Sequence, residues 1–248
     1  MTGVLLVTGG GRGIGAACAR LGASRGYDVC VNYLGDEAAA QETVSAVEAA
    51  GRRGLAVKAD VAQEAEVKRM FETIDRELGP LTALVNNAGL TGHFSRLDEV
   101  SGETLRRVMD VNVLGLIYCA RAAVQRLSTA HGGRGGGIVN LSSGAASLGS
   151  PHTYVWYAAS KGAVDSFTKG LALEVAREGI RVNAVAPGFI KTEIHASSGM
   201  PDRLETTPDV VPMGYAAAPE EVAEAILWLL SDQAGYVTGE VLRVAGGR

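Results

Sequence analysis

The sequence predicts an α/β fold in which a doubly wound, parallel sheet of seven strands carries helices on both faces. Three observations predict it. Short β-branched runs alternate with long helical patterns along the chain, and a glycine cluster lies between the first strand and the first helix. No linker or internal repeat interrupts the alternation, so the 248 residues read as a single domain, 1–248.

The elements follow in order. Residues 4–8 read as a strand and 13–25 as a helix; 29–33 are a second strand, and the Ala/Glu-rich 37–50 a helix ended by Gly51. Residues 55–59 form a third strand, followed by a helix over 63–78 that stops at Gly79-Pro80. Residues 84–86 are the fourth strand and 104–127 a long helix. The glycine-rich 132–137 leads to a fifth strand at 138–141, and the next helix carries Tyr157. A strand at 181–185, a helix at 220–230 and a last strand at 241–244 complete the pattern. The longest stretch without periodicity is 188–218, which holds Pro201, Pro208 and Pro212. It follows a strand end, where open α/β sheets bind ligands, and is expected to be a lid over the substrate.

Composition excludes several classes of function. With 47% hydrophobic and 20% charged residues the chain is ordinary for a globular protein with a large core. A net charge of −4 and the lack of any Lys/Arg block argue against a nucleic-acid surface. Cys18, Cys30 and Cys119 are far apart, without a Cys-x-x-Cys pair, which points to a reduced, cytoplasmic setting. The apolar start, residues 4–7, is too short for a signal peptide, and no run approaches the roughly 18 apolar residues of a membrane span.

Tyr157 and Lys161 lie four residues apart on one apolar-periodic helix, hence on one face. A tyrosine of ordinary pKa ~10 is a poor base at neutral pH. A cation about 5 Å away, at an effective dielectric of about 20, favours phenolate by roughly 3 kcal/mol, and so moves the phenol toward useful acid–base chemistry. Taken alone, such spacing is more often a chance pair, and only the rest of the chain raises it. The glycine cluster, Thr8-Gly9-Gly10-Gly11-Arg12-Gly13-Ile14-Gly15, suits close approach of a pyrophosphate to a helix N-terminus. The second strand ends Asn32-Tyr33-Leu34, with no acid before Asp36 to read the ribose of NAD. Arg12 can meet a 2′-phosphate, so NADP is preferred and NAD remains possible; the alternative is a solvated Arg12 with Asp36 turned back to the ribose.

Together Thr8-Gly9 through Gly15, Asn86-Asn87-Ala88-Gly89, Ser142-Ser143, Tyr157-x-x-x-Lys161 and Pro187-Gly188 resemble the short-chain dehydrogenase/reductase family over nearly the whole chain. The likeness is greatest to NADP-dependent carbonyl reductases, and to glucose-dehydrogenase-like and 3-oxoacyl-reductase-like members. The resemblance implies a Rossmann fold and an NAD(P)-dependent oxidoreductase acting on a small-molecule ketone or secondary alcohol, needing no metal. Tyr157 would be the general acid–base, Lys161 would lower its pKa, Ser143 would polarise the substrate oxygen, and Asn112 would hold a relay water. Ser142 would be structural.

It further implies cofactor contacts at Gly9, Arg12, Gly13, Ile14, Gly15, Asn32, Tyr33, Asp60, Val61, Asn87, Ala88 and Gly89. Tyr157, Lys161, Pro187, Gly188, Ile190 and Thr192 complete the set. A homotetramer, or a homodimer, is implied, with the helices over 104–127 and 157–178 at one interface and residues 236–248 at another. The segment Pro151-His152-Thr153-Tyr154 departs from the family in length, bringing in Tyr154 as a rival phenol. His93, His131, His152 and His195 show no metal-ligand spacing, though His93 and His195 could line the pocket. The rival reading is a catalytically silent NADP-binding sensor or assembly subunit, for which Ser143, Tyr157, Lys161 and Asn112 would not all be needed. A nucleotide-sugar epimerase would want a larger C-terminal region than this chain has.

Overall fold

The structure is a computed structural model that describes residues 3–194, 198–204 and 207–248. Seven parallel strands form one sheet: β1 (Gly3–Val7), β2 (Tyr27–Tyr33), β3 (Gly54–Lys58), β4 (Leu81–Asn86), β5 (Gly136–Leu141), β6 (Ile180–Pro187) and β7 (Val241–Val244). Their spatial order is β3-β2-β1-β4-β5-β6-β7. The order reverses between β1 and β4, so a crevice opens at the carboxyl ends of those two strands.

Helices α1 (Gly13–Ser24), α2 (Glu37–Ala49) and α9 (Pro219–Leu230) pack on one core, which includes Leu5, Val7, Val29, Val31, Val44, Ile226 and Leu227. Helices α3 (Glu64–Glu77), α5 (Leu116–Leu127) and α7 (Val155–Val175), the last preceded by the one-turn α6 (Ala145–Leu148), pack on a second core of Leu6, Met70, Phe71, Ile74, Leu84, Leu127 and Ile138. Successive residues of β1 alternate between the two cores, Leu5 and Val7 on one and Leu6 on the other. Strands buried on both faces are therefore mostly apolar, as the runs 4–8 and 29–33 foretell, with polar exceptions such as Asn32, Asn86 and Asn140.

The expected long helix over 104–127 is three pieces: α4 (Gly102–Met109), a π-helical stretch at Asp110–Gly115, and α5. One extra residue in a turn shifts hydrophobic periodicity too little to be seen in a sequence, but it re-aims the side chains it contains. The combined helix Gly102–Leu127 is also long and apolar enough to span a membrane by composition, which corrects the expectation that no segment approaches that limit. Its Cys119, Ala123 and Leu127 are buried in the second core, as in a core helix of a globular protein. Within 188–218 the described residues form a short helical turn at Pro201–Leu204, the one-turn α8 (Thr207–Val210), and a single bridge from Ile190 to Ala217.

Buried carboxamides tie the middle of the sheet to α7. Asn86 Nδ2 donates to Asn140 Oδ1 at 3.0 Å, and Asn140 Nδ2 donates to Thr168 Oγ1 at 2.9 Å. Asn140→Leu fills the same space but leaves an Asn86 N–H and the Thr168 hydroxyl without these partners. The expected loss of unfolding free energy in a urea titration is about 1–3 kcal/mol; a midpoint equal to that of the parent chain would show that the ladder contributes nothing.

Candidate active site

The crevice is built first from the turn after β1. Gly9 and Gly13 adopt left-handed backbone, φ 60° and 53°. A Cβ at Gly15 would lie 2.3 Å from the Gly9 carbonyl oxygen, so the first turn of α1 can lie against the loop only without a side chain there. Asn87 clamps this loop: its Nδ2 donates to the carbonyls of Thr8 and Gly9, each at 2.9 Å. Thr8 Oγ1 in turn accepts from the N–H groups of Asn87 and Ala88, both at 3.0 Å. Asn32 braces the other side, its Oδ1 accepting from Gly9 N at 3.2 Å and its Nδ2 donating to Ala59 O at 3.0 Å.

Gly9, Asn32 and Asn87 line a trough of about 390 Å³ together with Arg12, Gly13, Ile14, Tyr33, Asp36, Asp60, Val61, Ala88, Gly89 and Thr192, while Gly15 is not among its lining residues. The glycine-rich loop beside the N-terminus of α1 is of the kind that admits a phosphate-bearing ligand. Asp36 caps α2, accepting from Ala39 N at 3.0 Å, and lies 3.8 Å from Arg12. Arg12 also pairs with Glu193 at 2.8 Å. Asp60 accepts from Arg107 at 2.9 Å. Glu193 and Arg107 were not singled out from the sequence; an ion pair formed across such long separations leaves no local pattern to find it by.

Beyond the trough, and sharing Ile14, Asn87, Gly89, Thr192 and Ile194 with it, is a cavity of about 130 Å³. Ser143, Tyr157, Lys161, Pro187, Gly188 and Ile190 line it, as do Thr91, Phe94, Tyr154 and Ser198, which sequence reasoning either missed or set aside. The rings of Tyr154 and Tyr157 meet at 82°, with 5.0 Å between centroids, and Tyr154 tilts against Phe94 at 4.8 Å. Trp156 packs as expected, and its Nε1 fixes the Thr91 carbonyl at 2.8 Å. His93 is exposed and lines neither cavity. His195 lies outside the described residues.

Lys161 is 4% exposed, and its Nζ donates to Leu141 O, at the end of β5, at 2.5 Å. Burial pushes its pKa down from 10.5 to about 8, with Asp165, one turn further along α7, opposing the fall. The Asp165 carboxyl is itself raised by burial, against which the neighbouring Ser142 hydroxyl and Lys161 act. Tyr157 reverses the sequence expectation. Its pKa is raised, chiefly by burial and less by Tyr154, while a hydrogen bond with Ser143 opposes the rise. Lys161 Nζ is 5.7 Å from the Tyr157 ring centroid and turned to a backbone carbonyl, so its field does not offset desolvation of the phenolate. The phenol is thereby held in the proton-donating form.

Asn112 sits in the π-helical stretch, 1% exposed. Its Nδ2 donates to Leu90 O at 2.8 Å and Ser160 Oγ at 3.0 Å, and its Oδ1 accepts from Leu90 N at 2.9 Å. One Oδ1 lone pair remains. A Cβ on Gly89 would fall 3.3 Å from that oxygen and 3.6 Å from Lys161 Nζ, so the absent side chain leaves a polar gap between the two.

The chain resembles known proteins along nearly its whole length. A family model described as enoyl-(acyl carrier protein) reductase matches residues 9–248. The chain is 50% identical over 245 residues to the oxidoreductase YgfF of Escherichia coli K12, covering 99% of both. It is 44% identical to 3beta-hydroxysteroid dehydrogenase 1 of Eggerthella lenta, covering 98% of this chain and 92% of that one. A blue fluorescent protein from a metagenomic library, crystallised with NADPH, superposes with a TM-score of 0.90 at 34% identity, covering 99% and 97%. A chain with this sheet order, this glycine turn and these relatives belongs to the short-chain dehydrogenase/reductase family of NAD(P)-dependent oxidoreductases.

Proposed function

We propose that the chain is an NADP(H)-dependent oxidoreductase that moves a hydride between nicotinamide and a small ketone or secondary alcohol, with Tyr157 as general acid–base. The observation that carries this reading is the convergence of Ser143, Tyr157 and Lys161 on a cavity that opens into the dinucleotide trough. The relative named as a steroid dehydrogenase and the neighbour crystallised with NADPH support it.

Gly9, Gly13, Ile14 and Gly15 would hold the pyrophosphate, and Asp60 and Val61 the adenine. Asn87, Ala88, Gly89, Pro187, Gly188, Ile190 and Thr192 would flank the nicotinamide riboside, which Tyr157 and Lys161 also meet. Arg12 would read the 2′-phosphate, exchanging Glu193 for a better-matched dianion. Asn32 and Tyr33 would frame the adenosine ribose, Asn32 through the loop it braces. The chemistry expected of the bound cofactor is hydride transfer to the substrate's carbonyl carbon.

The chain's own groups do the rest. Ser143 Oγ donates a hydrogen bond to the carbonyl oxygen, and Tyr157 Oη gives that oxygen its proton. A water in the gap beside Gly89, held by Asn112 Oδ1 and Lys161 Nζ, returns a proton toward Tyr157. Residues 188–218 would act as a lid, with Glu193 paired to Arg12 until the 2′-phosphate takes its place. A homotetramer, or homodimer, in the cytoplasm would cover the exposed Leu114 and Leu173 and the fully exposed Tyr236.

NADPH is expected to bind at least tenfold more tightly than NADH in a fluorescence titration, and Arg12→Ala to bring the two together. Equal affinities in the parent chain would remove the role given to Arg12. A second expectation concerns pH. Lys161 loses its proton near pH 8, so kcat/KM for ketone reduction should be level below about pH 7 and fall above about pH 8. A profile flat to pH 10 contradicts the part given to Lys161.

A further inference from the structure

The trough contains an ion pair of which only the acid has a part in the reading above. Asp60 stands just past the end of β3 with its side chain 18% exposed, and Arg107 comes from α4 with its side chain 37% exposed. Both line the trough, as do Val61 and Val111. The remaining charged residues of the lining form a separate group, in which Arg12 lies 2.8 Å from Glu193 and 3.8 Å from Asp36. A Cβ on Gly115 would lie 2.8 Å from Val61 Cγ2 and 3.0 Å from the Val61 carbonyl oxygen. The helical run from α4 to α5 therefore lies directly on the segment that follows β3.

All four polar atoms of Asp60 are engaged. Its N–H donates to Glu66 Oε2 at 2.8 Å, and its carbonyl accepts from Gln63 N at 2.9 Å. Oδ1 accepts from Ala62 N at 3.0 Å, and Oδ2 from Arg107 Nη1 at 2.9 Å. A carboxylate bonded at one oxygen can still turn about its Cβ–Cγ bond. Bonded at both, once by its own loop and once by a second element, its plane is set. Roughly two of its four lone-pair sites remain to accept a further hydrogen bond.

The pair also settles what kind of group suits this part of the trough. Asp60 is the single acid that Arg107 meets among the described residues. Without that partner, a carboxylate largely withdrawn from water would stand in a trough meant for a ligand that carries phosphates. With it the two charges cancel, and what is left is an oriented, charge-assisted acceptor for a neutral donor.

We infer that Arg107 is a positioning residue for the base of the cofactor: by holding the Asp60 carboxylate in place, it makes the trough select a dinucleotide whose base carries an exocyclic amine over one with an oxo group there. This rests on the dinucleotide reading above. The amine donates to Asp60 in the first case. In the second, an oxygen without a proton meets a carboxylate without one, and a hydrogen bond to a charged group is lost.

The test uses the full chain and two reduced cofactors, NADPH and its hypoxanthine analogue, in which oxygen replaces the adenine amine. Each is titrated by nicotinamide fluorescence. The parent chain should bind NADPH at least about tenfold more tightly than the analogue. Arg107→Met, which keeps most of the stem and loses the fork, should weaken NADPH at least about fivefold and bring the ratio below about 3. Arg107→Lys, which can still pair with Asp60 as a point charge, should keep the ratio above about 5. Asp60→Ala should also remove the preference, and adding Arg107→Met to it should change NADPH affinity by less than about twofold. A role in packing alone would weaken both cofactors alike and leave their ratio at the parent value, which would overturn the assignment. Effects that multiply in the double variant would overturn it as well. So would equal affinities in the parent chain, although the oxidoreductase reading would then stand. A parent chain that binds neither cofactor would remove both readings together.

Discussion

The constraint on which the site depends is a buried amine. Lys161 gives up most of its hydration to stand behind Tyr157, and a fall in pKa from 10.5 to about 8 corresponds to roughly 3 kcal/mol against its charge. Such a group persists only where its N–H bonds have partners. Leu141 O is one, supplied because β5 ends where α7 crosses it. Asp165 tempers the loss of charge from one turn along the same helix. The gap beside Gly89 leaves room for a further partner, and a side chain on that residue would close it. Strand ending, helix crossing and glycine all follow from keeping one nitrogen both buried and ionisable.

The same economy appears in the amides. Asn112, Asn86, Asn140, Asn87 and Asn32 are each spent on holding backbone or one another, and together they join the ends of the central strands to the helices that carry the site. Carboxamides suit the task because they donate and accept without a charge to desolvate. Asn112 reaches its partners through the π-helical stretch, where a regular turn would aim it elsewhere. The loop after β1 and the packing around it are therefore not separable: Asn87 and Asn32, which fix that loop, also line the trough.

The fold was legible because burial on both faces makes each strand a short apolar run and each helix a 3.6-residue stripe, and these survive in one dimension. The motif residues were legible for a similar reason, since Gly9 to Gly15 and Tyr157 to Lys161 are local spacings. What was not legible depends on three dimensions. The sign of the Tyr157 shift turned on burial, which no spacing reports, so a Coulomb estimate from Lys161 alone pointed the wrong way. Glu193 and Arg107 join partners far along the chain. Arg203 and Arg248 come from an aperiodic segment and a tail, and the fold sets both against Phe189.

The central claim is that the Tyr157 hydroxyl delivers the proton and that the surrounding cradle binds the dinucleotide without its help. Tyr157→Phe removes one oxygen from a packed ring, so the most direct measurement is the NADPH affinity of that variant beside its turnover of a ketone the parent chain reduces. An NADPH Kd within about threefold of the parent, with kcat lowered by at least about a hundredfold, is the result the account predicts. Turnover at the parental rate with unchanged affinity would contradict it.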